Sequence, residues 1–136
     1  MLLDELGGDL QAAGIGTRAV DLFESRMPEA PDVCVAIFDG SGAPPLQAFR
    51  ADVAVERPRI AVWARALTAA AAAGKMRAIY ERWRSMGEGN LTKAAGGTTR
   101  YLSIMAAHSP FLLSRDQNER VIYSCSFDVM KEVSTS

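Results

Sequence analysis

Residues 56–86 read ERPRIAVWARALTAAAAAGKMRAIYERWRSM, and this stretch sets the fold. Its first third has a period of two. Ile60, Val62 and Ala64 point to one side, and Arg59, Ala61, Trp63 and Arg65 to the other, as alternate side chains of a strand do. Pro58 has a fixed φ and no N–H, which suits the first residue of a strand or an edge position. Past Arg65 the period changes. Ala72, Met76, Ile79, Trp83 and Met86 are spaced four, three, four and three, which puts them on one helical face. Lys75, Arg77, Glu81, Arg82 and Arg84 fall mainly on the other side. Thr68 is placed to cap the helix, the alanines at 69–73 favour it, and Gly87 can close it in a left-handed conformation. Gly74 is either a weak point or a place where another backbone comes close. A strand feeding directly into a long helix is therefore the unit on which the other elements pack.

The whole chain bounds what this unit belongs to. At 136 residues it is one domain, 1–136, able to bury roughly two-thirds of its unfolded surface, so folding requires neither metal nor disulfide. Net charge is −1, from 15 basic and 16 acidic residues: no basic surplus for nucleic acid and no acidic tail for a basic partner. Cys34 and Cys125 each stand within an apolar, strand-like run. They read as small buried apolar residues of a reducing compartment, with a disulfide between neighbouring strands as the alternative. Asp4 and Glu5 stand where a signal peptide needs base, and the 66–73 run is too short to cross a bilayer. The expectation is a soluble protein made inside the cell, with no membrane partner.

Leu2, Leu3, Leu6, Leu10 and Ala13 form a helical stripe that Gly14 or Gly16 ends, with Asp4 and Glu5 favoured in the first turn by the helix dipole. Val20, Leu22 and Phe23 predict a short strand ended by Pro28 and Pro31. Residues 33–38 (VCVAIF) are apolar on both faces, as in a central strand covered by helix on one side and by helix or a neighbouring chain on the other. Residues 39–45 (DGSGAPP) predict a loop that ends this strand and opens an excursion through Ala51. After the 56–86 unit, glycines at 87 and 89 break the helix. Residues 91–94 and 98–107 predict a hairpin around Gly96-Gly97, ended by Ser109-Pro110. Residues 115–119 (RDQNE) are a polar turn. The last strand, 121–130, points Val121, Tyr123, Cys125, Phe127 and Val129 inward and Ser124, Ser126 and Asp128 outward, and 131–136 read as a polar tail. Elements clustered by type predict an α+β fold. It is a single domain with a mainly antiparallel twisted sheet, a short N-terminal helix and one long helix packed on it.

Chemistry is sparse. His108 is the one histidine, so a Ser-His-acid triad must use it, and no Gly-x-Ser-x-Gly elbow is present. A zinc site needs three or four Cys and His ligands, and this chain has three such residues in total, scattered along it. Gly14-Ile15-Gly16 follows a helix rather than a strand, and Ala69 stands where a phosphate loop ending in Gly74-Lys75 needs glycine. Asp4/Glu5 and Asp128/Glu132 read as solvated pairs, not as an acid–base couple. No cofactor and no metal are expected. The basic helix face is diluted by Glu81 and Glu88 and reads as solvated. Arg57, Arg59, Arg65 and Arg100 lie on strands, where guanidinium groups suit protein–protein contacts through bidentate pairing with carboxylates.

The order of several short motifs completes the reading. The leucine-rich first helix is followed by Gly14-Ile15-Gly16-Thr17, then Asp21-Leu22-Phe23 leading to Met27-Pro28, then an apolar strand. Glu56-Arg57-Pro58-Arg59 enters the next strand and the alanine-rich helix. Arg100-Tyr101-Leu102-Ser103-Ile104, Ser109-Pro110-Phe111 and Arg115-Asp116 precede the last strand. Over nearly the whole chain this order resembles the bacteriophage minor capsid or tail-completion family, which includes the tail terminators of long-tailed phages. The resemblance implies a structural virion protein rather than an enzyme. Such a protein forms a ring of identical subunits, typically a hexamer, that caps the tail tube, stops its growth and joins it to the head–tail connector. The implied partners are further copies of the chain, the major tail tube protein and connector or neck proteins, with DNA only as passing cargo. The implied place is the tail or neck of the virion, after synthesis in the host cytoplasm. A ring requires head-to-tail contacts that close, and near-neutral charge suits a lumen through which DNA slides. Subunit or partner contacts are expected at Arg57, Arg59, Arg65, Arg100, Tyr101, Arg115 and Asp116, with the 39–51 excursion as a docking loop. Two other readings stand beside this one: another neck component, such as a head-completion or connector adaptor protein, and a small enzyme using His108.

Overall fold

Strand β3 (Val53–Ala66) passes almost directly into helix α2 (Ala69–Met86), as the change of period requires. Thr68 caps the helix: its hydroxyl accepts from the Ala71 N–H at 3.1 Å. Met76, Ile79 and Trp83 pack in one fully buried cluster with Ile60, Val62 and Ala64 of the strand, and Ala72 packs against Ala66 and Val121. The computed structural model describes residues 2–47, 53–86, 89–92, 98–116 and 118–134. Gly87 and the Gly96-Gly97 turn lie outside these residues, as does the 48–52 part of the expected excursion.

Around β3 the chain builds one sheet in the order β1 (Leu22–Glu24), β2 (Cys34–Gln47), β3, β7 (Val121–Ser134), β5 (Thr98–Ala106), β4 (Gly89–Thr92). β3 runs along the whole of one edge of β7, so β5 and β6 (Phe111–Arg115) share the other edge, β6 against residues 121–124 and β5 against 127–131. β1 is parallel to β2, and every other pairing is antiparallel. The fold is the expected α+β domain. The inward residues of β7 are those that alternation selects, with Phe127 meeting Trp83 edge-on at 4.9 Å.

Both helices lie on one face. α1 (Leu2–Ala12) buries Leu6 and Leu10 in the same cluster as the α2 seam. It stops at Gly14, whose φ of 78° is a left-handed cap, while Ile15 N–H reaches back to Leu10 O at 3.0 Å. Two carboxylates tie α1 down. Asp9 accepts from Trp83 Nε1 at 3.1 Å and from Arg82 Nε at 3.2 Å. Glu5 is buried, accepts from the Tyr101 hydroxyl at 3.4 Å and pairs with Lys131 at 3.5 Å. Register places Cys34 and Cys125 on opposite faces of the sheet, so neighbouring strands do not bridge them. Both are free and buried, and burial raises both thiols, Cys125 to about 11.

Several local expectations are overturned. Residues 39–45 do not form a loop: β2 continues to Gln47, with register shifts between Gly40 and Ala43 and between Ala43 and Leu46. Glycines and prolines are tolerated because, among the described residues, this part of β2 pairs on one side only, with β3. Pro58 does not open β3 but sits inside it, at the irregularity where its missing N–H breaks no ladder pair. Residues 131–134 are not a tail but the end of β7, with Lys131 opposite Glu56 and Tyr101. Val20 is outside β1 and 62% exposed. Glu5 is not solvated, because the helical turn that buries Leu6 and Leu10 carries it against the sheet. β6 is a strand where only the end of a hairpin was expected.

Two glycines give opposite expectations. A Cβ at Gly74 meets nothing within 4 Å, so no backbone comes close and the residue only weakens α2. Gly74→Ala is expected to raise unfolding stability by about 0.5–1 kcal/mol, read by chemical denaturation. A Cβ at Gly42 would overlap the Arg57 carbonyl oxygen and lie 2.6 Å from Pro58 Cα. Gly42→Ala is expected to lower stability by about 1–3 kcal/mol in the same assay, since backbone atoms cannot step aside as a flexible side chain can.

Candidate assembly surface

With α1 and α2 on one side, the other face of the sheet carries no helix among the described residues. Alternation puts Phe38, Trp63, Arg59, Asp128 and Met105 there. Phe38 and Trp63 form a tilted ring pair at 4.8 Å and are both half-buried. Beside them the Arg59 guanidinium holds Asp128 through two contacts, 2.7 Å and 3.3 Å, across the β3–β7 pair. Both partners are about half exposed, so this pair orients side chains more than it stabilises the fold. Met105, opposite Asp128, is 65% exposed. At the β1 edge the Arg26 guanidinium lies 5.1 Å over the Phe23 ring.

Two buried arginines fix one end of this face. Arg65 donates to Pro31 O at 2.7 Å and to Asp32 O at 3.3 Å. Arg120, just before β7, donates to the Glu29 carbonyl and pairs with Asp116 at 2.6 Å, Glu29 at 3.1 Å and Asp32 at 3.3 Å. Both therefore clamp the 29–32 loop that leads into β2. A guanidinium suits this, because its fork satisfies several fixed acceptors while leaving none of its own charge bare. Burial pushes the Asp116 carboxyl up, but hydrogen bonds from Arg120 and from the Asn118 N–H outweigh it and hold the group below its ordinary value.

The edge strand β6 is apolar and exposed. Phe111, Leu112 and Leu113 of β6 are 44%, 45% and 39% exposed, three consecutive large apolar residues at the border of the sheet. Next to them His108 holds the β5–β6 turn. Its Nε2 accepts from the Ser126 N–H at 3.3 Å and its Nδ1 lies 2.8 Å from Ser109 O, which fits a neutral ring carrying its proton on Nδ1. Among the described residues no cluster of three His, Cys, Asp or Glu side chains could hold a metal ion, and no helix is long and apolar enough to cross a membrane.

The residues singled out in the sequence fall in different settings. Arg57 and Arg59 are close together on β3, half-buried and exposed respectively. Arg65 is buried and Asp116 half-buried, and both serve the 29–32 clamp. Tyr101 is buried under α1 against Glu5. Arg115 is exposed at the end of β6, and the Arg100 side chain lies outside the described residues. Sequence reasoning passed over Arg120 and the 111–113 run. The run's signal was present, three apolar residues between Pro110 and a polar turn, but too short to show a period.

The clamp sets a pH dependence. A carboxyl held low in the folded state contributes stability above its unfolded pKa, and that contribution is lost as pH falls through the folded value. The Asp116→Asn variant should therefore be less stable than wild type at neutral pH. The gap should close only in acid, as pH drops below 3.8, the ordinary value for this group. Thermal unfolding across pH 2–7 checks this, and a gap independent of pH would remove the carboxylate from the explanation.

Comparison with known proteins fits these features. Over residues 9–133 the chain matches the sequence profile of a family described as bacteriophage tail terminator protein. A search of curated proteins by sequence gave no match. Among solved structures, the chain is similar to one in the virion of a native gene transfer agent (GTA) particle. The TM-score is 0.58 at 15% identity, over 97% of this chain and 95% of that one, a likeness of fold. Since the profile spans all but the first eight and last three residues, the chain belongs to the bacteriophage tail terminator protein family, as a structural component of a phage tail.

Proposed function

We propose that this chain forms a closed ring that caps the tail tube, ends its growth and joins it to the head–tail connector. Family membership over residues 9–133 is the observation that carries this reading. The architecture supports it in three ways. A closed ring needs two unlike surfaces on each subunit, and this sheet has unlike borders: β1 and β2 on one side, β4, β5 and β6 on the other. The sheet face away from the helices offers a partner half-buried Phe38 and Trp63 and exposed Met105 beside the Arg59–Asp128 pair. A net charge of −1 gives DNA passing through a lumen no strong electrostatic hold. Six subunits are the expected number, with the major tail tube protein on one side of the ring and the connector on the other. Arg57, Arg59 and Arg115 remain the proposed contacts, while Arg65, Tyr101 and Asp116 act through the shape they impose.

His108 fits this reading as a structural residue, since both ring nitrogens engage backbone atoms of the β5–β6 turn and of β7. Particles from a deletion mutant, imaged by electron microscopy, test the assignment. The expected result is tails of uncontrolled, excessive length. Normal-length tails beside tailless heads that have lost DNA would place the chain in head completion instead.

A further inference from the structure

We infer that the outer edge of β6 takes up a second copy of this chain by strand addition, pairing with residues 39–43 of that copy's β2. This rests on the ring reading and names the contact that would build it. The starting point is the exposure of Phe111, Leu112 and Leu113 on a strand whose only partner among the described residues is β7. An apolar edge with unpaired backbone groups is a template for another strand, and soluble chains ordinarily blunt it with charge, proline or a covering segment. Residues 111–114 carry neither charge nor proline, and among the described residues no strand pairs with the outer edge of β6.

The complementary edge is on the far side of the same sheet. β1 covers β2 only at residues 35–37, while β2 continues to Gln47. From Asp39 onward the outer side of β2 has no partner strand among the described residues. Pro44 and Pro45 carry no N–H and end any useful pairing there, which leaves the five residues 39–43. β6 is also five residues long. Within one chain β2 is antiparallel to β3, β3 to β7, and β7 to β6, so β6 runs opposite to β2. A neighbouring copy placed sideways along the sheet therefore meets β6 in the antiparallel sense. That register sets Arg115 beside Asp39, Leu112 beside Gly42, and Phe111 beside Ala43: opposite charges at one end, large residues against small ones at the other. Arg115 and Asp39 are both exposed, and neither joins an ion pair of the described residues.

The two edges stand at different heights along the strands. Arg115 is level with Ala66 of β3 through Val121, and Asp39 is level with Ile60, six residues further along that strand. The second sheet is thus displaced by about 20 Å along the strands, at about 3.3 Å per residue. That displacement carries the neighbour's β1 past Arg115, to the level of the 116–120 turn, so β1 does not lie against β6 itself. The two edges are different surfaces, so the contact is head-to-tail and repeats around a ring.

Charge reversal tests the contact on the assembled object. Arg115→Glu, Asp39→Arg and the double variant are each added to purified tail tubes, and ring-capped ends are counted by negative-stain electron microscopy. Each single variant should lose about ten-fold or more of the capped ends, because like charges then face each other at every subunit contact. The double variant should recover most of the loss, and Arg115→Lys should cap as wild type does. Thermal unfolding within a few degrees of wild type shows that the variants fold. Wild-type capping with single variants unaffected, or with a double variant no better than the singles, overturns this contact and leaves the ring intact. Wild-type protein that never caps a tube overturns the ring reading, and this contact with it.

Discussion

The arrangement of this chain follows from one shortage: it has enough helix to cover one side of its sheet and no more. α1 supplies 11 residues and α2 supplies 18, and the alternation of the strands commits both to the same side. Their leucines, Met76, Ile79 and Trp83 close a continuous core with β2, β3, β5 and β7. What the other side does follows from being left over. Its accessible apolar side chains include Phe38, Trp63 and Met105, while Cys34, Ala36, Ile122 and Ser124 on the same side are buried. The borders of the sheet follow the same logic, since an open sheet always has two of them.

The one helical layer is positioned by buried charge as well as by apolar packing. α1 is short enough to be marginal alone, and its two fully buried leucines would fit more than one rotation. Asp9 and Glu5, one turn apart, remove that freedom. The first meets Arg82 and Trp83 on α2, and the second meets Tyr101 and Lys131 on the sheet. Desolvating such pairs offsets much of their attraction, so their main effect is to select one docking geometry for the helix. They also couple three elements far apart in sequence, because a misplaced α1 leaves carboxylates or an ammonium buried without partners.

Much of this was legible from residue spacing. The strand-to-helix unit, its seam, the Thr68 cap and the inward face of β7 follow from period alone. What escaped did so for physical reasons. The Gly-Pro-rich half of β2 looks like a loop because local propensity cannot register that an edge strand needs hydrogen bonds on only one side. The end of β7 looks like a tail because a buried Lys131 is intelligible only beside Glu5, 126 residues earlier in the chain. Of the candidate surface, Arg57, Arg59 and Arg115 were visible as residue types. The β6 edge was not, since a five-residue strand shows no period and its exposure depends on which neighbours the sheet supplies.

The clamp on the 29–32 loop separates shape from identity. Arg65 binds the carbonyl oxygens of Pro31 and Asp32, and Arg120 binds that of Glu29, so the loop is held largely through atoms that every residue possesses. The side chains of Glu29 and Asp32 are themselves 88% and 60% exposed. A lineage could rewrite those outward side chains to suit a different neighbour in the particle while the path of the backbone stayed as it is. Two interior arginines thus hold the path of this patch through its main chain, so that changes to its outward side chains cost the Arg120 pairings but not the Arg65 ones.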